Sequence, residues 1–446
     1  TALEKVETSD FTSVGKEMFA SCKSLKEFDF KGDYVPDGAF TDCTSLAKFT
    51  FAYKGEFRGI GENAFVNATE LMNITLPAGN YTVGNKAFYN ASLKTVEIGD
   101  AEVKFELSVF ESCAKFASSA TTGFTVNGKV NGESRLYKTV NGILYSKDMK
   151  TLIAVPSATE SFTLPSSVTK LADGALAGLS IKGELDLTKV TDLGNYALSG
   201  SDFTSVKLNP STTVIPEGLF SEAEYLTEVT GIENVTKIEA YGFYKAKTTN
   251  LTFPLLTEAG EYAFSESRIR SITADKLEVI GDSAFESSQL TEVNFPSARS
   301  IGTEAFANAS ALVKATFGGV TEMGEKTFRN APLLSVVEFG QGTTVIAPEA
   351  FMSESKRTNL VEVVLPDGVK KIGNKAFANC VSITGINLNG TETVGEFAFY
   401  GCTNLKDVKF DTIVTIGEAA FSDTGVTAAE LDKAKDIGAY AFNGSQ

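Results

Sequence analysis

Three observations in the 446-residue chain predict a solenoid, α/β or mostly β. It would have about 20 stacked coils of ~22 residues, a long parallel sheet on one face and a hairpin insertion near 120–160. First, one pattern recurs from end to end: an aliphatic residue, Gly, two variable residues, a small residue, then Phe. Second, each copy is followed by a segment in which apolar and polar residues alternate. Third, most copies are spaced by 21 to 23 residues. A unit of that size cannot bury its own Phe, Ile and Leu, whereas like units stacked side by side bury them in one continuous core. Length alone suggests roughly three domains. The repeat replaces them with a single solenoid domain over 1–446, on the order of 100 Å long at about 4.8 Å per strand.

The elements follow in order. The clean copies are Ile60-Gly61-Glu62-Asn63-Ala64-Phe65, Val83-Gly84-Asn85-Lys86-Ala87-Phe88, Ile280-Gly281-Asp282-Ser283-Ala284-Phe285, Ile301-Gly302-Thr303-Glu304-Ala305-Phe306, Ile372-Gly373-Asn374-Lys375-Ala376-Phe377 and Ile437-Gly438-Ala439-Tyr440-Ala441-Phe442. Weaker copies carry Phe19, Phe40, Phe110, Phe220, Phe243, Phe264, Phe328, Phe351, Phe399 and Phe421, and Leu176 and Leu198 replace Phe in two more. The glycine reads as the point where the coil turns tightly. After the Phe come segments such as Leu25-Lys26-Glu27-Phe28-Asp29-Phe30 and Leu290-Thr291-Glu292-Val293-Asn294-Phe295. Their last four residues alternate and are rich in β-formers, which predicts a short half-buried strand. Pro77, Pro210, Pro296 and Pro366 end such strands because proline cannot donate to a ladder. The largest gap, Phe110 to Leu176, is 66 residues, three times 22, and reads as two degenerate repeats with an insertion at about 111–170. Within it, Asn127-Gly128 and Asn131-Gly132 are turn signals, and Asn141 to Ile153 reads as two strands around a polar turn, Ser146 to Lys150.

Composition removes whole classes of function. The chain has no His, so no Ser-His-Asp or Cys-His pair and no His-ligated metal or haem site exists in it. The net charge of −16 lacks the basic footprint of a nucleic-acid partner. No run of about 18 apolar residues is present to span a membrane. The first residues, Thr1-Ala2-Leu3-Glu4, are not a signal peptide, and a start without Met suggests a trimmed chain. Asn443-Gly444-Ser445-Gln446 offers no polar cap, so the last coil is expected to pair with another copy or to be closed by Gln446.

Several motifs have competing readings. Cys22, Cys43, Cys113, Cys380 and Cys402 each lie three residues after the repeat Phe, a slot held elsewhere by Ala or Ser. They read as small buried core residues. Disulfides between neighbouring coils, Cys22 with Cys43 and Cys380 with Cys402, are the alternative. Gly319 to Thr327 nearly spells a phosphate-binding loop, but Glu325 intrudes and would repel a phosphate. Carboxylates such as Glu258 and Glu261 read as a solvated face. The Asn-x-Ser/Thr triplets at Asn67, Asn90 and Asn308 fall two residues after the Phe, where turn chemistry explains them.

The composite Leu-x-x-Ile-x-Leu-Pro, spacer, Ile-Gly-x-x-Ala-Phe, x-x-Cys/Ala, x-x-Leu resembles the BspA-like (Treponema-type) leucine-rich repeat surface proteins. Ile372 to Leu388 and Val394 to Phe410 carry the resemblance most completely, and it runs from about Val14 to Phe442. The fold it implies is a leucine-rich-repeat solenoid. The segment Asn141 to Ile153 also resembles a recurrent insertion of that family. The resemblance implies a secreted or surface-anchored protein, a lipoprotein among the possibilities, on the extracellular face of the cell. Such a protein binds host or cell-surface proteins, glycoproteins or glycans, and carries no catalytic residues and no cofactor.

In Leu-x-x-Val-x-Phe, positions 1, 4 and 6 point into the core, so positions 2, 3 and 5 are exposed on the sheet, and positions 3 and 5 are read along it as a ladder. The candidate partner-binding face read from it is Glu27, Asp29, Lys48, Asn73, Thr75, Lys207, Glu228, Glu292, Asn294, Lys314, Thr316, Glu338, Glu362, Asn387, Asp407 and Lys409. It is rich in Thr and mixed charge, without aromatic residues. Tyr89, Tyr196, Tyr241, Tyr244, Tyr262, Tyr400 and Tyr440 lie near the repeat Phe and read as lining a coil edge. Three functions suit such a chain: adhesion to a protein or mucin-type partner through the repeat face, a stiff spacer for another module, or carbohydrate capture. Enzymatic activity is not expected.

Overall fold

The computed structural model describes residues 3–6, 14–356 and 358–445. Gln446, the expected closure of the last coil, lies outside the described residues. Every regular element among the described residues is a strand, 35 in all, so the solenoid is β throughout. About 19 turns are present. The chain forms two compact units, residues 1–209 and 210–446, each described by itself.

Each unit is built on two parallel ladders rather than the one expected. The first holds the strands predicted after each Phe. In unit 1 it includes Glu27–Phe30 beside Lys48–Phe51, and Asn73–Leu76, Thr95–Ile98 and Gly123–Thr125 side by side. In unit 2 its longest run is Glu292–Phe295, Lys314–Phe317, Val336–Phe339 and Glu362–Val364. The second ladder holds the aliphatic residue just before the repeat glycine. It runs Tyr34–Val35, Gly59–Ile60, Gly79–Val83, Ala101–Phe105 in unit 1, and Val214–Ile215 onward through Glu322–Met323 in unit 2. The register is one repeat per strand: Glu292, Lys314, Val336 and Glu362 lie in one row.

The third side of each coil is the turn carrying the Phe. In the coil around Phe88, the N–H groups of Lys86, Phe88 and Asn90 donate to the carbonyls of Leu107, Val109 and Glu111 in the next coil. The intervening N–H groups of Ala87, Tyr89 and Ala91 donate back to Gly84, Lys86 and Phe88. This alternation satisfies every donor without a helix. It also forces the residues two before and two after the Phe into left-handed backbone, as at Lys86 (φ 53°) and Asn90 (φ 54°). Asn67, Asn90 and Asn308 occupy that second position, and Asn90 Nδ2 donates to Asn67 Oδ1 at 2.8 Å. Turn chemistry therefore accounts for the three triplets.

The repeat glycine has a different reason from the one its position suggested. It is not among the left-handed residues. A Cβ on Gly302 would stand 2.5 Å from the backbone of Gly281 and Asp282, and one on Gly281 would stand 2.7 Å from Gly260. Glycine stacks on glycine because two coil backbones touch there. Gly324, in the segment resembling a phosphate loop, is one of this series: a Cβ there would collide with Thr303 N.

The core is a stack of phenylalanines. In unit 1, Phe40, Phe65, Phe88 and Phe110 follow one another at 5.1–5.7 Å with interplanar angles of 4–7°. In unit 2 a stack begins at Phe220 and runs to Phe442, with centroid distances of 5.0–5.4 Å. The strand aromatics Phe253, Phe295, Phe317 and Phe339 pack against it.

Between Phe110 and Leu176 one expected strand, Gly123–Thr125, keeps its place in the first ladder. The second degenerate repeat is replaced by an antiparallel meander of Tyr137–Val140, Ile143–Ser146 and Thr151–Ala154. Asn141 and Gly142, both left-handed, turn the first hairpin as an Asn-Gly pair does. The polar turn after Ser146 makes the second, with Ser146 Oγ donating to Asp148 Oδ1 at 2.7 Å.

Two stability outcomes follow. Phe306→Ala should cost about 3–5 kcal/mol in chemical denaturation, and Phe306→Leu much less, since Leu176 and Leu198 fill the same slot. Gly302→Ala should cost about 1–3 kcal/mol through backbone contact, whereas Lys375→Gly, at a left-handed residue (φ 55°), should stay within about 1 kcal/mol of the parent.

Candidate functional site

The sixteen predicted face residues all lie on the solvent side of the first ladder, exposed or half-buried. Glu27, Asp29, Lys48, Asn73, Thr75 and Lys207 belong to unit 1, and the other ten to unit 2. Within each unit the register brings some of them together. Glu27 lies opposite Lys48, and Thr50 donates to Asp29. Asn73 Oδ1 accepts from Thr95 Oγ1 at 2.7 Å, and Thr75 faces Glu97. Lys207 is opposite Asp186. Glu228 stands in Glu228–Thr230.

In unit 2, Glu292 is beside Lys314, and Asn294, Thr316 and Glu338 form one row. Lys314 Nζ is 2.9 Å from Glu338, with Thr316 Oγ1 within 3.4 Å of the same carboxylate. The hydrogen bond and charge of Glu338 hold the Lys314 ammonium above its usual pKa, and Lys314 holds the Glu338 carboxyl below its own. Asp407 faces Gly385. Asn387 and Lys409 fall just past their strands, and Asn387 Oδ1 accepts from Asn389 N. The polar ladder thus spends much of its hydrogen-bonding capacity on itself.

Position 2, exposed as expected at Val313 and Val361, brings aliphatic residues to this face. Val313, Leu333, Val361 and Val364 are exposed at 41%, 45%, 52% and 43%. Val313 and Val361 immediately precede the strands Lys314–Phe317 and Glu362–Val364, Val364 ends the latter, and Leu333 lies three residues before half-buried Val336. Val361 N–H donates to Ser335 O, and Ser335 N–H to Val313 O, so the valines flank one row. Val336 and Val364 occupy positions 3 and 5 of their segments, where every other strand of this run carries a polar residue. An aliphatic residue at a polar ladder position was the signal available in the sequence.

The cysteines are part of the core. All five are free. Cys43, Cys113, Cys380 and Cys402 donate Sγ–H to the carbonyl of the Phe in the preceding coil, at 3.0–3.1 Å from Phe19, Phe88, Phe351 and Phe377. Burial pushes the Cys43, Cys113 and Cys402 thiols up to about 12. A thiol aimed at a carbonyl below it does not face the next cysteine, so the adjacent-coil disulfides are not formed. Among the described residues no cluster of three or more Cys, Asp or Glu could hold a metal ion, and no helix is long and apolar enough to cross a membrane.

Three of the seven coil-edge tyrosines gather. Tyr241 and Tyr262 stack at 5.1 Å and 10°, and Tyr244 sits edge-on to Tyr241 at 5.6 Å. Tyr244 Oη donates to Glu266 at 3.0 Å, with Lys245 Nζ 4.8 Å above its ring. Unit 1 has a concave feature that the sequence did not announce: a cleft of about 500 Å³ beside strand Ala101–Phe105, which shares Lys104, Phe105, Asp173 and Asn195 with a neighbouring recess of about 290 Å³.

Stacked coils with a parallel strand in every turn, a phenylalanine spine and a small residue at each close approach define a leucine-rich-repeat solenoid. The chain belongs to the BspA-type leucine-rich repeat family, whose repeat region matches in 6 copies over residues 1–117, 156–270, 236–357 and 321–446. The stretch those matches leave out, 118–155, contains the meander. The chain is similar to the crystal structure of a leucine-rich repeat protein from Bacteroides ovatus, at 20% identity over 87% of this chain and 90% of that one, with a TM-score of 0.52. Similarity also extends to a leucine-rich cell surface protein from Faecalibacterium prausnitzii, with 18% identity, coverage of 82% and 87%, and a TM-score of 0.38. No curated protein matches the chain.

Burial of the thiols gives a direct check. At pH 8 a thiol reagent should label Cys22 alone, which is half-buried, and all five after unfolding. Because the folded thiols ionise near 12 and unfolded ones near about 8.5, their contribution is complete below about 8.5. It is lost as pH climbs toward 12. The urea midpoint should therefore fall between pH 8 and pH 11.

Proposed function

We propose that the chain is a non-enzymatic recognition protein of the bacterial surface that binds a protein partner through the first-ladder face. The observation carrying this reading is the set of exposed aliphatic residues Val313, Leu333, Val361 and Val364 on or beside the strands of an otherwise polar, self-paired ladder. Exposed aliphatic side chains beside charged rows give an interface its apolar centre and polar rim. Lys314 and Glu362 flank Val336 in its row, so the rim offers both charges to a partner. Surface location is supported by membership of the BspA-type family. We read 1–446 as one recognition module because the repeat spacing runs unbroken through residue 209, with Leu198 and Phe220 separated by 22.

The test is binding of the purified chain to immobilised matrix proteins and mucins at physiological salt. Saturable binding to one protein class is expected, and Val361→Asp combined with Val364→Asp should weaken it at least about tenfold, equivalent to ~1.4 kcal/mol. Both positions are solvent-exposed, so the fold should persist. Equal binding by the double variant, or binding to no protein, would overturn the assignment.

A further inference from the structure

We propose that the cleft in unit 1 is a separate binding site for a neutral oligosaccharide. The cleft exists because the stacking rule is broken once. Strand Ala101–Phe105 is the last of its ladder, and the next short strand, Lys170–Leu171, pairs with Thr151–Ala154 of the meander instead. A gap opens where a coil would otherwise stack. The edge strand is only partly covered: Val103 N–H donates to the Tyr137 hydroxyl at 3.0 Å. Edge strands offer unpaired backbone donors and acceptors to whatever lies alongside.

The lining suits a sugar ring, which has apolar C–H faces and a hydroxyl rim. Phe105, Leu107 and Tyr196 supply apolar surface in the smaller recess, and Asn85, Asn195 and Glu106 stand among them. Tyr196 reaches the recess from the left-handed position two before the repeat slot (φ 54°), where Tyr241 and Tyr262 stand in other coils. The preceding coil places Gly174 at the same position. The polar groups are oriented by the backbone. Glu106 Oε2 accepts from Asn85 N at 2.9 Å, and Asp173 Oδ1 accepts from Asn195 N at 3.0 Å. Asn85 Oδ1 is buried at this margin with no hydrogen-bond partner, an acceptor whose cost is relieved if a donor reaches it.

Charge narrows the ligand. The two lysines of the cleft are each engaged, Lys104 with Asp173 at 3.2 Å and Lys170 with Asp192 at 2.6 Å. Glu102 and Glu106 leave the lining acidic, which disfavours sialylated, sulfated and uronic sugars. The combined recess falls within the size range of small-molecule sites.

This site is independent of the first-ladder face, so the two readings can fail separately. The test is calorimetric titration of the full chain with cellotetraose, mannotriose, galactobiose and N-acetyllactosamine, with sialyllactose and spermidine as charged controls. One neutral probe should bind saturably at one site per chain. Tyr196→Gly, which suits left-handed backbone, should leave the denaturation midpoint intact and weaken binding about tenfold. Val361→Asp with Val364→Asp should not alter it. Failure of every neutral probe at millimolar concentration, full affinity in Tyr196→Gly, or preference for spermidine or sialyllactose would overturn the proposal.

Discussion

The stack of phenylalanine rings is the contact from which the rest of each unit follows. Rings at 5.0–5.4 Å with nearly parallel planes set the separation of successive coils along the core of unit 2. That separation is close to the spacing of hydrogen-bonded strands. The core and the two ladders therefore demand the same rise per repeat, and neither has to strain to accommodate the other. A slot that lost its ring would leave a cavity in a core without side-chain freedom to refill it.

The other constraints are consequences of this rise. Coils so close leave no room for a Cβ at the repeat glycine, and favour small residues behind the Phe, where Ala, Ser, Cys and Thr424 are buried. Donors on the turn side reach the next coil only if every second N–H points that way, and the left-handed residues result. That edge is where side-chain identity is least restricted by packing, as Asn63, Lys86, Tyr241, Ser283 and Glu304 in one structural position illustrate. Variation is tolerated there and on the ladder faces, and both are surfaces on which a recognition protein can differ from its relatives without losing its core.

A regular stack offers flat faces, and flat faces bind large partners; a recess requires an interruption. The meander of unit 1 supplies one by taking the pairing edge of Thr151–Ala154 to Lys170–Leu171 and leaving Ala101–Phe105 at the margin of a cleft. The exposed aliphatic residues of unit 2 arise differently, within unbroken register, from side-chain identity alone.

Much of this was legible in the sequence. The coil length, the strands after each Phe, the buried small-residue slot holding the cysteines and the exposure of the sixteen ladder residues all follow from periodicity, because a repeating apolar pattern admits one way of burying itself. The tertiary structure decided what depends on contacts between coils. It showed that the repeat glycine answers a backbone collision and not a turn, that the thiols point to carbonyls and not to each other, and that a second ladder runs along the coils. It also placed Tyr196, Glu106 and Asp173, distant in the chain, around one cleft. Sequence periodicity specifies what each coil does to itself; which groups meet where the period breaks is set only when coils stack.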